Sequence, residues 1–226
     1  PCKSLGSMYM FDYSTLSWSK LETTGNLVPS ARDSHTALIF NDEMFVFGGN
    51  WQDKKLNDLW KLNLIERKWA KINAPNGPSS IEGHVTSLVL GKMMMIQGGL
   101  DESNRVCPEL YLFDLVENKW YSCQVKDFEK FAKRECRSCV SNGEFCYLFG
   151  GEVENEIFND LFKVSISYVN ETYFSKWTLE EPITKKPPER SSHSSVFYEP
   201  DLLIITGGEG QDSNGQSVAL SDTWIY

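Results

Sequence analysis

Three arginines, three histidines and one cysteine pair are the residues whose types and spacing suggest chemistry. Arg32, Arg134 and Arg190 each stand a few residues ahead of an apolar run, and a guanidinium fork suits carboxylates and phosphates. A plainer role is equally open, in which each arginine bonds carbonyls or acids of its own segment. His35, His84 and His193 follow at matching places, and the second segment carries Glu82 near the arginine position. Histidines that follow a repeat read as structural, because a catalytic trio has no reason to recur with it. Cys136 and Cys139 have knuckle spacing, yet no second pair or nearby His completes four ligands. No Ser-His-Asp or Cys-His arrangement is suggested by spacing.

The elements that must position these residues recur along the chain. Glycine pairs at Gly48-Gly49, Gly98-Gly99, Gly150-Gly151 and Gly207-Gly208 each end a short apolar run, at intervals of 50, 52 and 57 residues. Such an interval marks a repeat. A second run follows a variable polar stretch and is headed by Asp58, Glu109, Asp160 or Asp222; the first three acids are expected to satisfy backbone amides at the strand start. A late tryptophan closes the unit at Trp18, Trp69, Trp120 and Trp177. In the first whole unit four strands are expected: His35 to Phe40, Glu43 to Phe47, Leu59 to Leu64, and one from Lys68-Trp69. The dipeptides Asn41-Asp42 and Asn142-Gly143 suit tight hairpin turns. A phosphate cradle at the glycines would need a following helix, and none is signalled.

This double-glycine, aromatic-strand and late-tryptophan pattern resembles the kelch repeat over nearly the whole chain. The resemblance implies an all-β propeller of four-stranded antiparallel blades, with the tryptophans wedged between blades. One propeller domain is expected over residues 1–226: the end of one blade (1–28), whole blades at 29–74, 75–126 and 127–182, and an incomplete blade at 183–226. That represents about four to five blades of a ring expected to have six, in a chain taken as part of something longer. The ends are expected not to seal. A copper radical oxidase site would need His and Tyr ligands brought together, whereas the histidines sit in repeat-equivalent places. The iron site of plant specifier proteins wants Glu-x3-Asp-x3-His, and here Glu156 and Asp160 are followed by Val164. No catalytic residue, cofactor or metal is therefore expected.

Composition narrows the partners. With 22 basic against 31 acidic residues and a net charge of −9, the chain lacks the basic balance of nucleic-acid binders. No apolar run is long enough to span a membrane. Six cysteines without a repeating framework read as thiols of a cytoplasmic protein. On a repeated scaffold, function is expected in loops that vary between units. The expected function is protein binding through the face shared by the loops after each glycine pair and the linkers between blades. Its expected residues are Arg32, Arg134, Arg190, Trp51, Asp53, Asn104, Arg105, Glu154 and Asn155. Kelch domains that capture peptides often hold acidic side chains with such arginines, so an acidic or phosphorylated protein segment is the partner the resemblance implies. The alternative is a targeting or regulatory domain of a larger enzyme, a phosphatase or a ubiquitin-ligase adaptor.

Overall fold

Short runs that alternate or are apolar on both faces, punctuated by Asn, Asp and Gly turns, can satisfy their backbones only by pairing laterally. The computed structural model describes residues 4–125, 133–154, 156–198 and 202–226. A leading hairpin of β1 (Met8–Asp12) and β2 (Ser17–Leu21) comes first. The first blade holds β3 (Thr36–Phe40), β4 (Glu43–Phe47), β7 (Leu59–Asn63) and β8 (Lys68–Ile72), with β5 (Asn50–Trp51) and β6 (Lys54–Lys55) as a ribbon in its central loop. The second blade is β9 (Val85–Val89), β10 (Met93–Gln97), β11 (Leu110–Asp114) and β12 (Lys119–Val125). The third is β13 (Ser138–Ser141), β14 (Cys146–Phe149), β17 (Leu161–Val169) and β18 (Thr172–Glu180), with β15 (Glu152–Val153) and β16 (Glu156–Ile157) as its ribbon. The fourth has β19 (Ser194–Tyr198), β20 (Leu202–Thr206) and β23 (Thr223–Ile225), plus a ribbon of β21 (Glu209–Gln211) and β22 (Ser217–Ala219). Within every blade consecutive strands pair antiparallel. This is an all-β propeller. Among the described residues no hydrogen-bonded pairing joins the leading hairpin to the fourth blade, and no helix is long and apolar enough to cross a membrane.

Blades bury their faces against one another, and the late tryptophans sit in those seams. Trp120 joins Phe45 and Phe47 of the first blade to Phe113 of its own. Trp69 packs with Val46 and Leu62 against Met8 and Leu21 of the leading hairpin. Trp177 closes a cluster running from Val85 and Leu112 to Phe162. Trp18 departs from this pattern: it is 69% exposed, with the Phe11 ring centre 4.9 Å away. In its place the rule that makes the others core residues fails, because no described neighbouring blade covers it.

Two features tie blades together through the backbone. The third blade's long β17–β18 hairpin accounts for the widened 57-residue interval, and β18 pairs parallel with β12 at Cys123–Val125, merging two blades into an eight-stranded sheet. Nearer the strand starts runs a belt of hydrogen bonds from blade to blade. Gly83 N–H donates to the Ser34 carbonyl, Cys136 N–H to that of Gly83, and Ser192 N–H to that of Cys136. All four belt residues have φ between 52° and 65°.

The glycine pairs exist for close approach. Gly49 has φ of 93°, and a Cβ there would lie 2.5 Å from the Asp33 carbonyl oxygen; Gly208 repeats this at φ 93°, against Ser191. No other residue tolerates both demands.

His84 and His193 cross the same seams. The Nε2 of His84 lies 2.8 Å from Thr36 Oγ1, and that of His193 lies 2.7 Å from Ser138 Oγ. Each Nδ1 is buried with no protein partner, so a second proton there would be unsolvated. Burial, helped by the His35 charge, pushes His84 down to about 3; burial, helped by Arg190, pushes His193 down to about 4. The unfolded chain gains these protons near pH 6.5 and the folded chain refuses them. Stability is thus fully present above about pH 6.5 and is lost as pH falls toward 4, by roughly 1 kcal/mol per histidine per pH unit. Urea midpoints at pH 7, 6 and 5 should fall in step, and His84→Asn should flatten the slope.

Candidate functional site

Arg32, Arg134 and Arg190 are all buried, and each is engaged inside its own blade. Arg32 forks onto Asp58 at 2.8 and 3.0 Å and donates to the Gly48 carbonyl at 2.9 Å. Arg190 repeats this on Asp222 at 2.8 and 2.9 Å and on Gly207. Arg134 does so on Asp160 and Gly150, with its guanidinium carbon 3.7 Å from the Phe158 ring centre. Hydrogen bonding to Arg190 pulls the Asp222 carboxyl down to about 2. The expectation that these arginines reach a partner is therefore corrected: the acids at the heads of the third strands hold them. The acids themselves were expected to cap amides; instead they take guanidinium groups, and Asp222 also accepts from Trp224 Nε1.

The loops after the glycine pairs and the linkers between blades share one face, since residues from the two pair directly at Asp33 with Asn50, Glu82 with Leu100, Glu135 with Glu152, and Ser191 with Glu209. These bridges place Glu82 in the Asp33 position. The counterpart of Arg32 in the second blade is Ile81. The proof is in the seam: Gly49 N–H donates to the Ile81 carbonyl, as Gly99 does to Arg134 and Gly151 to Arg190. Glu82, expected near the arginine position, is the residue that follows it.

A cavity of about 880 Å³ opens on this face over the second blade. Asn104, Arg105 and Glu154 of the expected residues meet at it, together with Asp101, Glu109, Lys133 and Glu135. Arg105 is held by Asp101 through Nε and a terminal nitrogen at 3.1 and 2.9 Å. Lys55, itself buried, reaches from the first blade's ribbon to Asn104 Oδ1 at 2.6 Å, the Asp101 carbonyl at 2.8 Å and Glu82 at 3.1 Å. It fastens two neighbouring loops. Burial, then the charges of Glu152 and Glu82, push the Glu135 carboxyl up. Trp51 and Asp53 lie on the first blade's ribbon, away from this cavity, with Trp51 partly exposed. Asn155 lies outside the described residues.

Among the described residues, no three His, Cys, Asp or Glu side chains group to hold a metal. Val164, where a histidine ligand would stand, is buried in the core. Cys107, Cys123, Cys136, Cys139 and Cys146 are free thiols.

Comparison with known proteins places this geometry. Tip elongation aberrant protein 1 of Schizosaccharomyces pombe is 28% identical over 217 residues, covering 92% of this chain and 18% of that protein. Kelch domain-containing protein 3 of Bos taurus is 29% identical over 213 residues, covering 89% of this chain and 53% of the relative. The chain thus spans about half of one relative and under a fifth of the other. A solved structure titled "Structure of YjhT" superposes with a TM-score of 0.78 at 18% identity, over 98% of this chain and 75% of that one, and shares the fold. The double glycines, the seam tryptophans and the blade-internal arginines belong together with a match to the KLHDC2/KLHL20/DRC7 Kelch-repeats domain over residues 2–208, and the chain is a member of that kelch-repeat family.

Proposed function

We propose that the chain is a non-catalytic protein-binding module whose partner docks on the face formed by the loops after the glycine pairs and the linkers between blades. The observation that carries this reading is the cavity of about 880 Å³ opening among those loops, within the size range of sites that take a side chain or small ligand. The opposite face offers short hairpin turns such as Asn41-Asp42. An acidic or phosphorylated partner loses its basis, because the arginines that would hold it are buried. The binding face instead carries Glu82, Glu109, Glu135, Glu152 and Glu154, which favours a partner of basic or mixed character. Free thiols fit a cytoplasmic setting.

The test is to capture a partner and titrate it against variants on both faces. Trp51→Ala and Glu154→Lys should each weaken binding by about tenfold or more, as interface anchors do. Glu66→Lys and Glu117→Lys, in turns on the opposite face, should leave it unchanged. The reverse pattern would move the site to that other face.

A further inference from the structure

We propose that the cavity over the second blade is an acceptor for an arginine side chain of a partner protein, the guest guanidinium taking the place that Arg32, Arg134 and Arg190 fill from within in the other blades. The proposal rests on the loop face being the binding face and names what that face recognises.

The second blade keeps the acid and lacks the base. Glu109 heads β11 as Asp58, Asp160 and Asp222 head their third strands, but the residue opposite it is Ile81, fixed as the arginine counterpart by the Gly49 N–H to Ile81 carbonyl bond. A second truncation widens the gap. The residue whose N–H donates to the second glycine's carbonyl is Leu56 in the first blade, Phe158 in the third and Leu220 in the fourth; here it is Cys107, donating to Gly99. In the third blade that Phe158 ring lies against the Arg134 guanidinium. Two large side chains that plug the other blades are thus replaced by smaller ones, and the cavity lies where they would stand, lined by Ile81, Gly98, Cys107 and Glu109.

Its charge asks for a cation. Of the four lining acids, Asp101 is taken by Arg105, and among the described residues neither Glu109 nor Glu135 has an ion-pair partner. Burial, then the charges of Glu152 and Glu82, push the Glu135 carboxyl up against the opposing pull of Lys55, and a further positive charge at the cavity would relieve it. The walls contributed by Ile81, Pro108 and Tyr111 are suited to an aliphatic stem. A planar fork matches a carboxylate two bonds at a time, as the three internal copies do, and an ammonium cannot.

The experiment titrates capped Gly-Arg-Gly amide into the isotopically labelled chain, with lysine and citrulline counterparts, and follows amide shifts by NMR. Saturable binding is expected for the arginine peptide, with the lysine peptide weaker and the citrulline peptide weaker by about tenfold or more. Glu109→Gln, a change at an exposed side chain with little folding risk, should weaken the arginine peptide by a similar factor. Ile81→Arg combined with Glu109→Asp rebuilds the internal plug and should abolish binding; should that pair fail to fold, Glu109→Gln decides. No saturable binding to the native chain, or equal binding of the arginine and citrulline peptides or of the Glu109→Gln variant, overturns the proposal. If the face substitutions weaken the captured partner while the arginine peptide does not bind, the module stands and the arginine acceptor falls. If the arginine peptide binds while face substitutions leave the partner untouched, the acceptor stands and the docking face is elsewhere.

Discussion

Replacing Trp120 with alanine is expected to lower the unfolding free energy by about 3–5 kcal/mol, the range for a fully packed aromatic truncated to alanine. The indole is 6% exposed and has ring neighbours from two blades: Phe113 at 4.8 Å and Tyr111 at 6.4 Å from its own, Phe47 at 5.3 Å from the preceding one. Its removal opens a void in a seam, where neither blade can collapse without losing strand register. Gly77 lies so close that a Cβ there would meet Nε1 at 2.6 Å, so the chain has made room for this ring in particular. Urea unfolding of Trp120→Ala beside Trp18→Ala checks the argument, because Trp18 is the same residue type at an equivalent place in its unit but exposed. Trp18→Ala should cost under about 1 kcal/mol. Equal costs would mean that burial between blades is not what the late tryptophans contribute.

Arg134→Ala should be comparably severe, about 3–5 kcal/mol, because it leaves Asp160 as a charge without a partner in a largely dry place. Three losses coincide: the forked ion pair, the donor to the Gly150 carbonyl, and the guanidinium stacked on Phe158. The pair itself is not the source of that number. Desolvating two charges nearly cancels their attraction, so Arg134→Met with Asp160→Asn should recover more than half of the loss. Denaturant titrations of the single and double variants measure this directly. A double variant as unstable as Arg134→Ala would show that the hydrogen bond to Gly150 and the Phe158 contact, not the stranded charge, dominate. The second blade hints at the answer, since it carries Ile81 in place of the arginine and leaves its acid, Glu109, in solvent.

The propeller was legible because its requirements are local. Two glycines are needed wherever one backbone crosses close behind another, as at Gly49 and Gly208, and a large ring is needed in each seam. The roles of the arginines were not so plain. Arg32 and Asp58 are 26 residues apart, as are Arg134 and Asp160, and that equal separation was a readable sign that they meet. The sign was obscured because Arg190 and Asp222 are 32 residues apart, and because placing Glu82 only near the arginine position left Ile81 and the vacancy opposite Glu109 unseen. Trp18 shows the limit of pattern: burial depends on a neighbour, which a late-tryptophan position by itself does not supply. The parallel pairing of β18 with β12 left only a trace, the widened interval, because it depends on how far a hairpin extends rather than on any residue type.

The belt of left-handed residues at Ser34, Gly83, Cys136 and Ser192 governs where the chain tolerates insertions and deletions. From the arginine position through the belt residue to the first strand the count is the same in every blade: 32 to 36, 81 to 85, 134 to 138 and 190 to 194. Successive pentapeptides are bonded one to the next, so an added residue in the second or third would misalign two seams at once, and a backbone lengthened there has no slack in which to hide it. The loops after the glycine pairs differ in length from blade to blade, and the unit length of 50, 52 or 57 residues varies outside these pentapeptides. Grafted segments belong in the variable loops after the glycine pairs, where an added residue leaves the belt in register.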